Sequence, residues 1–269
     1  MNPQTEPAAS GKVRFAFLLG LTLCLGWLGY PASAHEDRAA TTTPDDEVAA
    51  AGPLRVARIS ENVWVHTSFQ TLSNGQTFPA NGLIVRHSDG LLLVDTAWGV
   101  AATEELLAWI QEHLDLPVTA ALITHFHADS LGGAAALEAA GIPFFSGLRT
   151  IDLAPGASLP KPELLDGLAN EGSVIEFRGL EVVYPGAAHS SDNVIVWVPG
   201  DKVLFGSCAV RSPTFPGRGN TADGSVSHWP LAMRSIRARY PDATIVVPGH
   251  GPPGTIDLLD HTIALFDTE

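Results

Sequence analysis

Short apolar runs rich in β-branched residues recur along the chain, and stretches with helical periodicity separate some of them. The apolar runs predict strands over 62–68, 82–87, 91–96, 118–124, 173–177, 180–185, 193–198, 202–206 and 244–248. Helical periodicity covers 103–114, 130–141, 228–240 and 255–266. Thr103 is a suitable N-cap for the first of these helices, and Gly141 marks the end of the second. Strands crossed with helices in both halves of the chain predict an α/β protein.

Two segments between the predicted elements, at 67–81 and 212–225, are polar and rich in turn-forming residues. Loops of this length in a compact domain are often functional, although plain surface loops have the same composition.

The first 34 residues are organised like a secretory signal peptide. Basic residues precede an apolar run over 15–30, and the small residues Ala32 and Ala34 form a cleavage pattern. A transmembrane anchor is the alternative, but the run is shorter than the roughly 20 residues needed to span a bilayer. Lipidation at Cys24 is less favoured, because Leu23 stands where a small residue is expected. We therefore expect residues 1–34 to be cleaved, and the protein to reach the periplasm without stable membrane association.

Residues 35–53 are polar, alanine-rich and without period, which predicts a flexible lead-in. The remaining segment, 54–269, is long enough to bury a sizeable core as a single domain. The net charge of −14 argues against nucleic-acid binding, because phosphate recognition needs clustered lysine and arginine. We expect a monomer.

The motif THFHADSLGG ends the predicted strand at 118–124 and places His125, His127 and Asp129 at every second position. Alternate residues of an extended segment share a face, so these side chains can converge. Imidazole and carboxylate groups are both good zinc ligands. Taken alone, the motif has two interpretations, a metal site or a hydrogen-bonded cluster in the core.

Three further ligand-type residues occur at comparable places. His189 in GAAHSSDN, Cys208 in FGSCAV and His250 in VVPGHG each follow an apolar run. In α/β proteins, ligands gather at such strand ends. Of the two cysteines in the sequence, Cys24 would leave with the signal, so Cys208 would be alone. A lone cysteine would otherwise be expected to be buried and inert, whereas a zinc ion would hold it as a thiolate. Core packing does not account for six ligand-type residues in equivalent positions.

These motifs, in this order and spacing, resemble those of the metallo-β-lactamases. Cys208, and Ser130 where glyoxalase-II-like relatives have a second histidine, favour the subclass called B1. FPANGLIV, LLLVDTAWG, YPGAAHSSDN, GNTADG and VVPGHG are most similar to the VIM branch. The resemblance covers nearly the whole chain after the signal. It implies an αβ/βα sandwich, in which two mixed β-sheets are flanked by helices and hold zinc in the cleft between them.

The resemblance also implies two zinc ions per chain. The ligands of the first zinc would be His125, His127 and His189. Those of the second would be Asp129, Cys208 and His250.

Three residues are implied to be catalytic, namely Asp129, Asn220 and Asp95. Asp129 would orient the nucleophile as well as bind metal. Asp95 resembles a family residue close to the metal site, and a carboxylate there suits the task of orienting the ligands; the alternative is a strand-end cap. Asn220 matches the family's substrate-binding asparagine, which would donate to an oxyanion or to the substrate carboxylate. A turn-forming role is the alternative for Asn220.

Arg211 stands where many relatives have a lysine that binds the substrate carboxylate. A guanidinium can pair with a carboxylate through two hydrogen bonds, but it could also point into solvent. Arg218 is a rival from the same segment. The resemblance implies that Leu72, Phe78 and Trp98 line the apolar part of the substrate site, although each could equally belong to the core.

The implied reaction is zinc-dependent hydrolysis of the β-lactam amide of penicillins, cephalosporins and carbapenems, which would confer antibiotic resistance. Three alternatives remain. A hydrolase of thioesters or lactones would act on those substrates and not on β-lactams. A zinc-binding protein without turnover fits poorly with intact Asp95, Asp129 and Asn220. A structural or interaction module does not explain the aligned ligands.

Overall fold

The computed structural model describes residues 47–49, 54–73, 75–215 and 217–267, the first range only as a strand. The strands are β1 (Glu47–Ala49), β2 (Arg55–Arg58), β3 (Val63–Thr71), β4 (Thr77–His87), β5 (Gly90–Val94), β6 (Val118–Leu122), β7 (Phe144–Ser146), β8 (Glu163–Leu164), β9 (Val174–Phe177), β10 (Leu180–Val183), β11 (Ile195–Val198), β12 (Val203–Ser207) and β13 (Ile245–Pro248). The helices are α1 (Val100–His113), α2 (Ala128–Leu131), α3 (Ala134–Ala139), α4 (Leu148–Leu153), α5 (Trp229–Arg239) and α6 (Asp257–Phe266). A 3-10 turn follows α4 at Ala154–Ala157.

The expected signal peptide over 1–34 and most of the expected lead-in over 35–53 lie outside the described residues. Within the lead-in, β1 pairs with β2. In the described part of the chain, no helix is long and apolar enough to cross a membrane.

The strands form two mixed sheets. In the first, β1 to β8 lie in chain order, antiparallel from β1 to β5 and parallel from β5 to β8. In the second, the order is β13-β12-β11-β10-β9, and only β12 and β13 are parallel. Parallel neighbours need a crossover connection, which α1 supplies between β5 and β6.

Apolar side chains divide the protein into four layers. Between the two sheets lie Val63, Leu83, Leu92, Val182, Val196 and Phe205. On the outer face of the first sheet, α1 and α3 pack through Leu106, Ile110 and Leu137. On the outer face of the second sheet, α5 and α6 pack through Trp229, Met233 and Leu259. Helices therefore cover both sheets, and the predicted αβ/βα sandwich is confirmed.

The first predicted loop is shorter than 67–81. β3 and β4 continue past the core as a hairpin, with Thr71 opposite Thr77, so the turn occupies only 72–76. Most residues of these arms are polar, even at buried positions such as Ser68 and Asn81, so the alternation of apolar and polar residues that marks a strand is missing.

Two helix ends differ from the prediction. Thr103 is not the N-cap of α1, because it lies buried inside the helix and its hydroxyl donates to the carbonyl of Gly99 at 2.9 Å. The predicted helix over 130–141 consists of α2 and α3, which are separated by a glycine pair. A Cβ at Gly133 would lie 1.9 Å from Thr103 Oγ1, so glycine lets α1 approach the junction of α2 and α3 closely.

Candidate metal centre

Strand ends of both sheets meet at one edge of the sandwich. The first sheet contributes His125, which follows β6, and His127 and Asp129 at the start of α2. The second sheet contributes His189 from the β10–β11 connection, Cys208 directly after β12, and His250 after β13. The structure therefore brings together all six residues predicted to bind metal.

The first group consists of three histidines, His125, His127 and His189, and one ring nitrogen of each lies within 4.8 Å of those of the other two. Nδ1 of His127 faces Nε2 of His189 at 2.9 Å. His125 is fully buried, and its Nε2 has no hydrogen-bond partner among the described residues. A buried polar atom without a partner is costly, and a metal ion would satisfy it.

The second group joins a thiol, a carboxylate and an imidazole. Cys208 Sγ lies 3.2 Å from Asp129 Oδ2 and 3.3 Å from His250 Nε2. His250 Nε2 is also 3.3 Å from Asp129 Oδ2. Asp129 Oδ1 lies 3.6 Å from His125 Nε2, so the two groups adjoin. Nitrogen, sulfur and carboxylate oxygen are the donors that zinc prefers, and these residues fit that metal.

Burial controls the charges at this centre. It lowers the pKa of His125 and holds that of His189 well below its usual value, so both rings are neutral at pH 7. Burial raises the pKa of the Cys208 thiol well above normal, and the adjacent Asp129 adds to this. Burial also disfavours the charge of Asp129, but the hydrogen bond from His250 opposes this effect, and the pKa of Asp129 is lowered overall. Neutral imidazoles beside an ionised carboxylate are ready to bind metal, whereas the thiol would lose its proton on binding.

Asp95 acts on this centre through hydroxyl groups. Its carboxylate accepts hydrogen bonds from the backbone N–H and the hydroxyl of Thr124, both at 2.7 Å, and from the Ser130 hydroxyl at 3.0 Å. The Ser130 hydroxyl lies 3.0 Å from Nδ1 of His125. Burial raises the pKa of Asp95 to about 7, against these hydrogen bonds. Asp95 thus orients His125 indirectly.

A cleft of about 440 Å³ opens above the centre. Its walls include Leu72, Phe78, Trp98, Arg211, Phe215 and Asn220. Phe215 was absent from the predicted set; its ring packs against Phe78, with centroids 5.7 Å apart. Asn220 lines the cleft and also accepts the N–H of Ala222 at 3.1 Å, so it has the turn-forming contact as well.

The two arginines of this segment differ in position. Arg211 is only 8% exposed and lines the cleft, so its side chain does not extend into solvent. Arg218 packs against α6, where its Nε donates to the carbonyl of Leu265 at 3.2 Å and its guanidinium lies 5.5 Å from the Phe266 ring.

Known proteins share this sequence and architecture. The sequence profile of the metallo-β-lactamase superfamily matches residues 75–250. A metallo-β-lactamase type 2 from Bacillus cereus is 35% identical over 257 residues, which cover 93% of this chain and 98% of the relative. The chain belongs to the metallo-β-lactamase superfamily. Among solved structures, a metallo-β-lactamase from Hirschia baltica superposes with a TM-score of 0.78 at 33% identity, covering 81% of this chain and 100% of that one. The mono-zinc form of FIM-1 from Pseudomonas aeruginosa gives a TM-score of 0.76 at 33% identity, with coverages of 81% and 97%.

In this metallo-β-lactamase superfamily member, sequence reasoning missed the residue that orients His127. Asp223 Oδ2 lies 2.9 Å from Nε2 of His127. A carboxylate at this nitrogen fixes the proton on Nε2 and leaves the lone pair of Nδ1 directed at the centre. Asp223 is part of the quoted motif GNTADG, but its contact with a residue 96 positions away leaves no periodic signal.

Asn81 supports His250 and was also missed. Its amide donates to the carbonyls on both sides of the histidine, Pro248 at 2.9 Å and Gly251 at 2.7 Å. Nδ1 of His250 lies 2.5 Å from the carbonyl of Pro79, which leaves Nε2 facing Cys208 and Asp129. β4 of the first sheet thereby holds a ligand that belongs to the second.

Proposed function

We propose that this protein is a zinc-dependent β-lactamase that hydrolyses the amide bond of β-lactam antibiotics. The observation that carries this conclusion is the pair of adjoining donor groups, one of three histidines and one containing Cys208, on the floor of a substrate-sized cleft. The relative from Bacillus cereus, which is named as a metallo-β-lactamase, supports the same activity.

Two zinc ions per chain are proposed. The first is held by His125, His127 and His189, whose ring nitrogens converge. The second is held by Asp129, Cys208 and His250, whose ligand atoms lie 3.2–3.3 Å apart. When bound, zinc lowers the pKa of a coordinated water to about 7 and polarises a carbonyl oxygen.

The residues around the cleft bind and orient the substrate. Asp129 belongs to the second donor group and also lies beside His125 of the first, and its ionised carboxylate accepts a hydrogen bond from the attacking water and so directs it. Asn220 donates its amide to the carbonyl oxygen as negative charge develops there. The buried Arg211 guanidinium pairs with the carboxylate that β-lactams carry beside the lactam ring. Asp95 keeps His125 in place through Ser130 and does not touch the substrate.

The apolar wall receives the rest of the substrate. Leu72 is 39% exposed on the turn between β3 and β4, and it lines the cleft with Phe78 and Trp98. Such a wall tolerates varied apolar substituents, which supports penicillins, cephalosporins and carbapenems as substrates and antibiotic resistance as the result.

The finer classification is part of the proposal. Cys208 between the histidine ligands, together with Ser130 after Asp129, supports subclass B1. The motifs FPANGLIV, LLLVDTAWG and YPGAAHSSDN support a likeness to the VIM branch.

The cellular setting is proposed from the sequence. Residues 1–34 are a signal peptide removed on export, 35–53 are a lead-in, and 54–269 are the single domain. The mature protein is a periplasmic monomer without stable membrane association. It acts on a small molecule and not on nucleic acid, in keeping with its negative charge.

A substrate panel tests the proposed activity. The purified protein, loaded with zinc, is assayed against a penicillin, a cephalosporin and a carbapenem, and in parallel against a thioester and a lactone. Turnover of the β-lactams alone is expected. Turnover confined to the thioester or the lactone would contradict the proposal and favour the other hydrolase class.

A further inference from the structure

Asp192 lies buried behind the histidine group, and nothing above gives it a role. The residue is 2% exposed. Its Oδ2 accepts a hydrogen bond from the backbone N–H of Phe126 at 2.9 Å and another from the Thr150 hydroxyl at 2.8 Å. Phe126 stands between His125 and His127, so the first of these bonds holds the His125–Phe126 peptide group, in the segment that joins two predicted ligands.

The same carboxylate links the two sheets. Asp192 and His189 belong to the β10–β11 connection, three residues apart, whereas Phe126 belongs to the β6–α2 connection. The β10–β11 connection is itself fixed, because Asn193 Oδ1 accepts the N–H of Ser190 at 3.0 Å and its amide donates to the carbonyl of Gly186 at 3.2 Å. A bond from Asp192 to Phe126 therefore sets the position of the second sheet's histidine relative to the two of the first.

A carboxylate is a costly group to place here. Its Oδ1 is buried and has no hydrogen-bond partner among the described residues. Burying a polar oxygen without a partner is unfavourable, so packing alone would select a smaller or apolar side chain. A carboxylate does, however, accept hydrogen bonds about twice as strong as a neutral acceptor does. A carboxylate at position 192 is explained if the protein requires a strong hydrogen bond to the Phe126 N–H.

We infer that Asp192 is a positioning residue that fixes His125, His127 and His189 relative to one another, so that the first metal group is preformed before metal arrives. This inference rests on the zinc site of the proposed function.

Zinc affinity and the absorption of bound cobalt(II) test the inference. Asp192→Ala removes the oxygen that accepts the Phe126 N–H, and Asp192→Asn keeps an oxygen that can accept it. Thr150→Val removes the hydroxyl that also donates to Asp192 but leaves the bond from Phe126. Zinc affinity is measured by competition with a chromophoric chelator, and folding by circular dichroism and melting temperature. Removal of residues that orient metal ligands typically weakens metal binding about 10–100-fold, and this loss is expected for Asp192→Ala, with an altered cobalt(II) band.

The controls separate positioning from loss of stability. Asp192→Asn should recover most of the zinc affinity, and Thr150→Val should keep the native affinity and cobalt(II) band even where its melting temperature falls. Native zinc affinity in Asp192→Ala, no recovery in Asp192→Asn, or an equal loss in Thr150→Val would each overturn the inference.

One measurement needs no variant. In the native protein the Phe126 amide should exchange slowly with deuterated solvent, and rapid exchange would overturn the inference even if Asp192→Ala does not fold. Failure of the native protein to bind zinc would instead contradict the proposed function itself.

Discussion

Replacing Asp223 by alanine separates metal binding from folding. Asp223 Oδ2 lies 2.9 Å from Nε2 of His127, and the two side chains are 44% and 18% exposed. The substitution removes the carboxylate that fixes the proton on Nε2 and so directs the Nδ1 lone pair of His127 toward the donor group.

The two expected effects differ in size. Exposed side-chain contacts of this kind contribute about 0–1 kcal/mol to folding, so the free energy of unfolding of the metal-free protein should fall by no more than that. Carboxylates that orient a metal-binding histidine typically affect metal affinity by about 10–100-fold. This range corresponds to about 1.4–2.7 kcal/mol of binding free energy.

Chelator competition measures the zinc affinity, and urea unfolding of the metal-free protein measures stability. The matched control is Asp242→Ala, which breaks an exposed ion pair with Lys202 at 3.3 Å. Lys202 precedes β12, at the opposite end of that strand from Cys208. The control should alter neither quantity by a comparable amount. Unchanged zinc affinity in Asp223→Ala, or an equal loss in the control, would refute the role given to Asp223.

Three further changes test the core, the second donor group and a buried histidine. Gly133→Ala would place a Cβ 1.9 Å from Thr103 Oγ1 and should lower the free energy of unfolding by about 1–3 kcal/mol. The control is Gly156→Ala, whose Cβ meets nothing within 4 Å and which should not lower it. Equal urea midpoints for the two variants would contradict this expectation. Cys208→Ser should fold but bind only one zinc equivalent tightly, and retention of two by metal analysis would count against the second site. Burial lowers the pKa of His66 from 6.5 to about 4. Below pH 6.5 the unfolded chain therefore binds a proton that the folded protein does not, and the free energy of unfolding should fall as the pH drops from 6.5 to 4. His66→Leu should flatten this pH dependence in urea unfolding, and an unchanged slope would disprove it.

The sequence predicted the fold class and the position of the donor residues for one physical reason. Apolar runs mark buried strands, and a ligand-type residue that directly follows such a run lies at a sheet edge. His125 after β6, Cys208 after β12 and His250 after β13 all follow this rule. The outer arms of the β3–β4 hairpin do not follow this rule, because polar residues such as Ser68 and Asn81 occupy buried positions and the arms show no alternation.

The supporting contacts could not be predicted from the sequence. Asn81 bonds to carbonyls 167 and 170 positions away, and Asp192 bonds to a backbone N–H 66 positions away. Such contacts depend on how the two sheets are placed against each other, and single polar residues leave no periodic trace of that placement. The sequence could not decide between Arg211 and Arg218 for the same reason, since the decision depends on Arg211 lining the cleft and Arg218 packing on α6.

The most direct test of zinc-dependent β-lactam hydrolysis is the turnover of a carbapenem by the purified protein, followed by the loss of carbapenem absorbance. We expect turnover that a zinc chelator abolishes and that added zinc restores. Turnover that continues unchanged after zinc has been removed, or no turnover in protein shown to hold zinc, would contradict zinc-dependent hydrolysis.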